Sequence, residues 1–285
     1  MKIGIIGAEN SHSAAIAKTL NIQKQIKGVS VDYIWGETEE FAKASAEKGA
    51  IPHIVRRATD MLGQIDALIV DHRHAKYHLP AAMPYLKAGI PMFIDKPFCY
   101  RSREGKAFLQ LARRKKVPVT SYSTTPLSQS AEELKKKVSE LGQLHAVSSF
   151  GPCDLESVYG GVFFYGIHQV ELVLGLCGGD VASVLVTRNG DCSTGQLIYR
   201  SGLVATLNLV KAKWPEFSVT VLGEKGVCHQ VLTSDANPYL TGIKRFVNMF
   251  RTGKEPRPHA EILRSIQVLE ALEKSVKTGK MEKVA

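Results

Sequence analysis

The sequence contains no apolar run of membrane-spanning length, and Met1-Lys2-Ile3-Gly4 passes directly into an apolar segment with no leader-like stretch before it. A bilayer helix needs about 20 consecutive apolar residues, so we expect no membrane anchor, no signal peptide and a cytoplasmic location. Cysteine is sparse. Cys99, Cys153, Cys177, Cys192 and Cys228 are odd in number and never form a Cys-x-x-Cys pair, which argues against a disulfide scaffold and a cysteine zinc site. Internal repeats and low-complexity tracts are also missing. The net charge of +10 raises the question of nucleic acid. However, the basic runs Arg113-Arg114-Lys115-Lys116 and Lys135-Lys136-Lys137 lack interleaved aromatics and fall on or at the ends of expected helices, where cations meet the negative end of the dipole. They read as solvated faces that attract anionic small molecules.

What is present describes a soluble globule. Apolar residues make up 44% of the chain and charged residues 22%, and the length suffices for two domains. Up to about residue 122, short apolar strands (3–6, 29–35, 67–70, 92–94, 117–122) alternate with helices (13–20, 39–48, 79–88, 103–115). That alternation predicts a parallel sheet covered on both faces. Beyond Ser123-Thr124-Thr125-Pro126 the pattern changes. A helix over 131–141 precedes strands over 144–150, 181–188, 195–199, 203–210, 216–222 and 227–232, separated by turn residues such as Gly223 and Gly226. The second sheet is therefore expected to be mostly antiparallel, within an α/β protein. A helix carrying His168 interrupts it and two helices close the chain. An open sheet face with the alternation of Leu203 to Val210 predicts a homo-oligomer, a dimer or tetramer.

The strand over 92–94 ends in Asp95, Lys96 and Pro97. An apolar strand followed by charge marks the carboxyl edge of a parallel sheet, where α/β enzymes place chemistry. Pro97 stops the strand and confines Lys96 to extended backbone, holding its amine at the edge. A lysine there can move protons if burial or a nearby cation lowers its pKa; the alternative is a solvated strand-end lysine. Asp95-Lys96-Pro97 resembles the Glu-Lys-Pro signature of the glucose-fructose oxidoreductase, inositol dehydrogenase and rhizopine-catabolism family (Gfo/Idh/MocA). His78 falls where that family carries a histidine after its fourth strand, and residues 81–89 resemble its Ala-Leu-x-Ala-Gly helix end. Gly166-Ile167-His168-Gln169-Val170-Glu171-Leu172 resembles its Gly-x-His-x-x-Asp-Leu helix. The close, from Phe246 through Arg251 to Pro256 and on to Gly279, also fits, so the resemblance covers nearly the whole chain. It implies a Rossmann-like dinucleotide-binding domain over 1–122 and a substrate-binding and oligomerisation α+β domain over 123–285.

A dinucleotide-binding turn carries Gly-x-Gly-x-x-Gly between the first strand and helix. Gly7-Ala8-Glu9-Asn10-Ser11-His12 keeps the first glycine and loses the other two. Glu9 places a carboxylate where backbone should approach pyrophosphate, and His12 adds bulk. Asn10, Ser11 and Ser13 can cap the helix, whose free N–H groups attract anions; the alternative is a capped helix that binds nothing. After the second strand the family pattern implies an aspartate for the ribose, and Glu37 is the nearest acid able to hold its two hydroxyls. No arginine or lysine follows closely to meet a 2′-phosphate, which favours NAD over NADP. Glu37 reads equally as a helix N-terminal charge. The resemblance thus implies a cofactor set of Gly7, Ala8, Glu9, Asn10, Ser11, His12, Glu37, Asp71, His78, Asp95, Lys96 and Pro97.

In the family, the Glu-Lys-Pro lysine, a histidine and an aspartate four residues before it work on the substrate. The first two carry over as Lys96 and His168, the catalytic candidates. Phe164 stands in the aspartate's place, and a phenyl ring neither orients an imidazole nor takes a proton. Tyr165 could supply a hydroxyl, although its place beside Phe164 turns it around the helix. Asp71-His72-Arg73-His74 with His78 has the composition of a metal-ligand cluster. The family uses no metal, so these residues read as a polar rim near the expected nicotinamide. The resulting expectation is an NAD(P)-dependent oxidoreductase acting on a CH–OH group of a sugar, polyol or sugar-derived acid, with a small polar substrate as its partner. The alternative is a non-catalytic binding or regulatory protein on the same scaffold, its cofactor site weakened or lost.

Overall fold

The computed structural model describes residues 1–212 and 216–285. The chain divides into two compact units: residues 1–99, 103–122 and 239–262 form the first, and residues 100–102, 123–238 and 263–285 the second.

In the first unit, β1 (Lys2–Ile6), α1 (Ser11–Ala17), β2 (Ser30–Trp35), α2 (Glu39–Gly49), β3 (His53–Ile54), β4 (Ala67–Val70), α3 (His78–Lys87), β5 (Met92–Ile94), α4 (Ser102–Lys115) and β6 (Val119–Thr120) follow one another. The six strands form one sheet in the order β3-β2-β1-β4-β5-β6, and every neighbouring pair is parallel. This is the doubly wound, Rossmann-like order, whose direction reverses between β1 and β4 and leaves a crevice at the strands' carboxyl ends. All four residues of β4 are buried, as expected of a central parallel strand covered on both faces. The expected strand over 117–122 shortens to β6, and the expected first helix changes to a π-helix over Lys18–Ile22. β3 was not legible: two exposed residues carry no alternation to read.

Two glycines determine where the site residues sit. Gly7 has φ +108°, and a Cβ there would lie 2.6 Å from the backbone carbon of Asp71 and 2.7 Å from the His72 nitrogen. Only a residue without a side chain lets the end of β1 meet the end of β4 this closely. At Gly36 a Cβ would lie 2.9 Å from the Ala8 methyl and from the Ala42 nitrogen, so the turn after β2 lies directly against the turn after β1.

The second unit holds α5 (Gln129–Ser139), β7 (Leu144–Pro152), α6 (Val162–Cys177), β8 (Val181–Thr187), β9 (Cys192–Tyr199), β10 (Val204–Val210), β11 (Phe217–Gly223) and β12 (Gly226–Leu232). Next come α7 (Leu240–Thr252), α8 (His259–Thr278) and β13 (Glu282–Lys283). The sheet order is β12-β11-β7-β10-β9-β8-β13. It is mostly antiparallel as expected, but β7 and β10 pair in parallel. One face buries Val147, Ala205, Leu207, Leu209, Val219 and Val221. The other mixes Ser148, Thr206, Asn208 and Thr220 with exposed Phe150, Val204 and Leu222. Gln169 of α6 donates to the carbonyls of Gly151 and Asn208, both at 3.2 Å, tying the helix to the parallel pair.

Sequence order alone places α7 with the second unit, yet it belongs to the first. The Tyr122 hydroxyl donates to the Gly242 carbonyl (2.7 Å), and Phe93 of β5 stacks on Phe246 with centroids 4.8 Å apart. Burial of these aromatic rings under the parallel sheet outweighs proximity along the chain.

Gly7→Ala combines a left-handed backbone with a backbone clash. It should cost about 2 kcal/mol or more, seen as a lower urea midpoint with an unchanged slope; a loss below roughly 0.5 kcal/mol would contradict the close approach.

Candidate active site

The turn after β1 is held from below before any ligand chemistry enters. Gly7 N donates to Trp35 O (2.9 Å) and Asp71 N to Ile6 O (2.7 Å), so the ladder continues into the site residues. Ser45 Oγ donates to Ala8 O (3.1 Å), and Ser13 Oγ to Asn10 O (2.9 Å). Asn10 caps α1 by accepting the His12 N–H at 3.5 Å, while Ser11 opens the helix and is exposed.

Glu37 meets this turn directly. Its Oε2 accepts the N–H groups of Ala8 (2.8 Å) and Glu9 (3.0 Å). Its Oε1 is buried and has no hydrogen-bond partner among the described residues. One oxygen therefore fixes the turn, and the other is an acceptor without a partner among the described residues. The Glu9 carboxylate turns toward Arg73, 3.8 Å away. Next to Glu37, a cavity of about 450 Å³ is lined by Trp35, Thr38, Lys43, Ile54 and Arg56. The sequence reading missed Arg56, because nineteen residues separate it from Glu37.

Three strand ends then bring acids together. Asp71 follows β4 and Asp95 follows β5, and both are buried. Asn10 Nδ2 donates to Asp71 Oδ1 (2.9 Å) and Asp95 Oδ2 (3.2 Å). His12 Nδ1 lies 3.1 Å from Asp95 Oδ2 and 3.8 Å from Asp71 Oδ1. Burial and the Asp95 charge push the Asp71 carboxyl well above the usual range. Burial pushes Asp95 up as well, but the charges of His12 and Lys96 outweigh it and hold that carboxyl below the usual range. Lys96 is only 7% exposed, its Nζ 4.0 Å from Asp95 Oδ2, and it precedes Pro97 through a cis peptide. A lysine with an acid beside it, at the carboxyl edge of the sheet, can hold and pass a proton.

The histidines after β4 do not share one centre. His78 is fully buried, with Nδ1 2.8 Å from Pro97 O and Nε2 2.8 Å from His72 O. Burial lowers its pKa despite those carbonyls; its ring braces the two loops. His72 is buried with its Nδ1 unpartnered among the described residues, and burial lowers its pKa to about 3. His74 Nδ1 accepts the Lys76 N–H at 3.2 Å, capping a short turn.

In the second unit, His168 Nδ1 lies 2.7 Å from Ser123 Oγ and 3.2 Å from Thr125 Oγ1. Thr125 N donates to Ser123 Oγ (3.1 Å). Glu171 Oε2 accepts the Ser123 N–H at 2.6 Å. The imidazole is therefore oriented by hydroxyls at the start of this unit. Phe164 and Tyr165 line a separate cavity of about 710 Å³ with Cys153, Tyr159 and Lys211, and Tyr165 reaches His168 with ring centroids 5.5 Å apart. Contacts between residues 123 and 168 cannot be read from helical or strand spacing.

Residues 1–123 match the family described as "Oxidoreductase family, NAD-binding Rossmann fold" (GFO_IDH_MocA). The chain is 24% identical over 199 residues to a Salmonella typhimurium protein provisionally named oxidoreductase YceM, across 67% of this chain and 62% of that protein. It is 28% identical over 195 residues to the uncharacterized oxidoreductase YhhX of Escherichia coli, across 61% and 56%. The matches thus span about three-fifths of those relatives' length. In fold, it is similar to the Lactobacillus casei myo-inositol dehydrogenase solved with NAD(H) and myo-inositol, at TM-score 0.84 and 18% identity over 100% of this chain and 97% of that one.

His72 generates a stability prediction. Its folded pKa, about 3 against 6.5 unperturbed, means that the unfolded chain binds the extra proton below pH 6.5. Stability present above that pH is lost as pH falls, by roughly 2 kcal/mol between pH 6.5 and 5. His72→Phe removes this dependence and leaves no orphaned nitrogen, so its urea-measured stability should fall less over the same window. An unchanged acid slope would contradict the assignment.

Proposed function

Because the chain belongs to the Gfo/Idh/MocA oxidoreductase family, we propose that it is a nicotinamide-dependent dehydrogenase. Its substrate is a CH–OH group of a sugar, polyol or sugar-derived acid. The observation that carries this reading is Lys96, held nearly buried beside Asp95 at the carboxyl edge of the parallel sheet. The cofactor, when bound, supplies the hydride acceptor. Glu37 Oε1 would take a ribose hydroxyl, and the turn from Gly7 to Asn10 would carry the diphosphate, with Arg73 offsetting the Glu9 carboxylate. NAD is preferred over NADP because the Glu37 carboxylate repels a 2′-phosphate, although Arg56 lines the neighbouring cavity. Lys96 Nζ would accept the substrate's hydroxyl proton. His168 is assigned hydrogen bonding rather than proton relay, because Ser123 and Thr125 hold its Nδ1 and Phe164 replaces the acid. The mixed outer face of the second sheet would pair with a second copy of the chain.

A second reading, a binding protein without catalysis, is favoured by Glu37 lying on two N–H groups that the fold commonly gives to an anion. Titration with NADH and NADPH, followed by fluorescence, separates the two readings: a signal with NADH supports the dehydrogenase, and silence with both overturns it. Among variants, Glu9→Gly should tighten NADH binding several-fold, since Arg73 is then left to meet the diphosphate; weaker binding would contradict this placement. On a substrate found by screening sugars and polyols, Lys96→Ala should lower kcat by about a hundred- to ten-thousand-fold. Undiminished turnover would remove Lys96 from the mechanism.

A further inference from the structure

We propose that the cavity of the second unit is an aglycone subsite, so that the substrate is a glycoside whose apolar aglycone rests on Tyr159, Phe164 and Tyr165. The proposal rests on the dehydrogenase reading and narrows its substrate class: the sugar supplies the CH–OH group, and a second, apolar ring supplies the anchor.

The walls of the cavity point to a ring. Pro152 and Cys153 at the end of β7, Tyr159 before α6, Phe164 and Tyr165 in its first turn and Val210 at the end of β10 all line it. Cys153 is buried, and burial pushes its thiol up to about 12, so it presents a neutral sulfur. Ring centroids lie 4.8 Å apart from Tyr159 to Phe164, 4.8 Å from Phe164 to Tyr165 and 5.5 Å from Tyr165 to His168. The aromatic run therefore leads from the cavity to the imidazole. Tyr165 and His168 are three apart on α6 and share a side of it, so an aglycone seated on Tyr165 sets the attached sugar toward the imidazole. Tyr165 is 39% exposed, which leaves surface for a further ring to cover.

The same walls disfavour a free polyol or a sugar acid. Burying a hydroxyl without a partner is costly, and carbon and sulfur line most of this cavity. Among the described residues that line it, Lys211 is the only cation. It lies 3.5 Å from both Asp154 Oδ1 and Glu156 Oε2, so a substrate carboxylate would compete with two acids for one amine. An apolar ring instead gains offset or edge-to-face contact with the aromatic side chains. The volume of about 710 Å³ falls in the range that encloses a ligand of several groups, and a bare hexose would not fill it.

The test titrates full-length protein, without nucleotide, by calorimetry with phenyl β-D-glucopyranoside and methyl β-D-glucopyranoside, which differ only in the aglycone. The phenyl glycoside should bind at least about tenfold tighter, and Tyr165→Ala and Phe164→Ala should each remove most of that difference. Circular dichroism checks folding, and Tyr165→Ala, at an exposed position, carries the test if Phe164→Ala does not fold. Equal affinity for the two glycosides overturns the proposal. So does the absence of phenyl glycoside binding at millimolar concentration, and so does a preference that survives the substitutions. Because the titration involves neither nicotinamide nor turnover, its failure is distinct from failure of the dehydrogenase reading, which the NADH and NADPH titrations report.

Discussion

The close backbone contact between Gly7 and Asp71 is the constraint on which the rest of the first unit depends. It brings the end of β1 against the end of β4 at a distance that no side chain survives. From it follow the reach of Asn10 and His12 to the acids after β4 and β5, and the packing of the β2 turn, through Gly36, that delivers Glu37 to the same loop. A larger residue at position 7 would move each of these groups by more than a hydrogen bond tolerates.

Electrostatics then shape what that contact assembles. Two buried carboxyls side by side cannot both ionise cheaply. Here the environments separate them: burial and the Asp95 charge push Asp71 up, while the charges of His12 and Lys96 hold Asp95 below the usual range. Glu37 works in the opposite way, as an acceptor fixed by two backbone N–H groups. The site is therefore rich in carboxylates, and Lys96 and Arg73 lie beside those acids.

In the second unit the imidazole of His168 is oriented by hydroxyls of Ser123 and Thr125, and Glu171 holds the Ser123 backbone in turn. Phe164 and Tyr165 instead form one wall of a cavity in that unit. The packing of α6 on the parallel β7–β10 pair keeps the helix, and with it His168, in a single orientation.

The parallel sheet was legible because its signals are local. The all-apolar β4 and β5, the Pro97 stop and the Asn10 cap each act within a few residues, so period and punctuation suffice to place them. Lys96 at a strand end was legible for the same reason. The parallel β7–β10 pair, the membership of α7 and the partners of His168 were not, because each joins residues far apart in the chain and carries no periodic trace. His12 shows the difference most clearly. In the sequence it is a bulky residue where a glycine is usual; folded, it stands 3.1 Å from an aspartate 83 positions away. Local chemistry set the elements and the residue types at their ends, whereas the strand order β1-β4-β5 chose which of those ends would face one another.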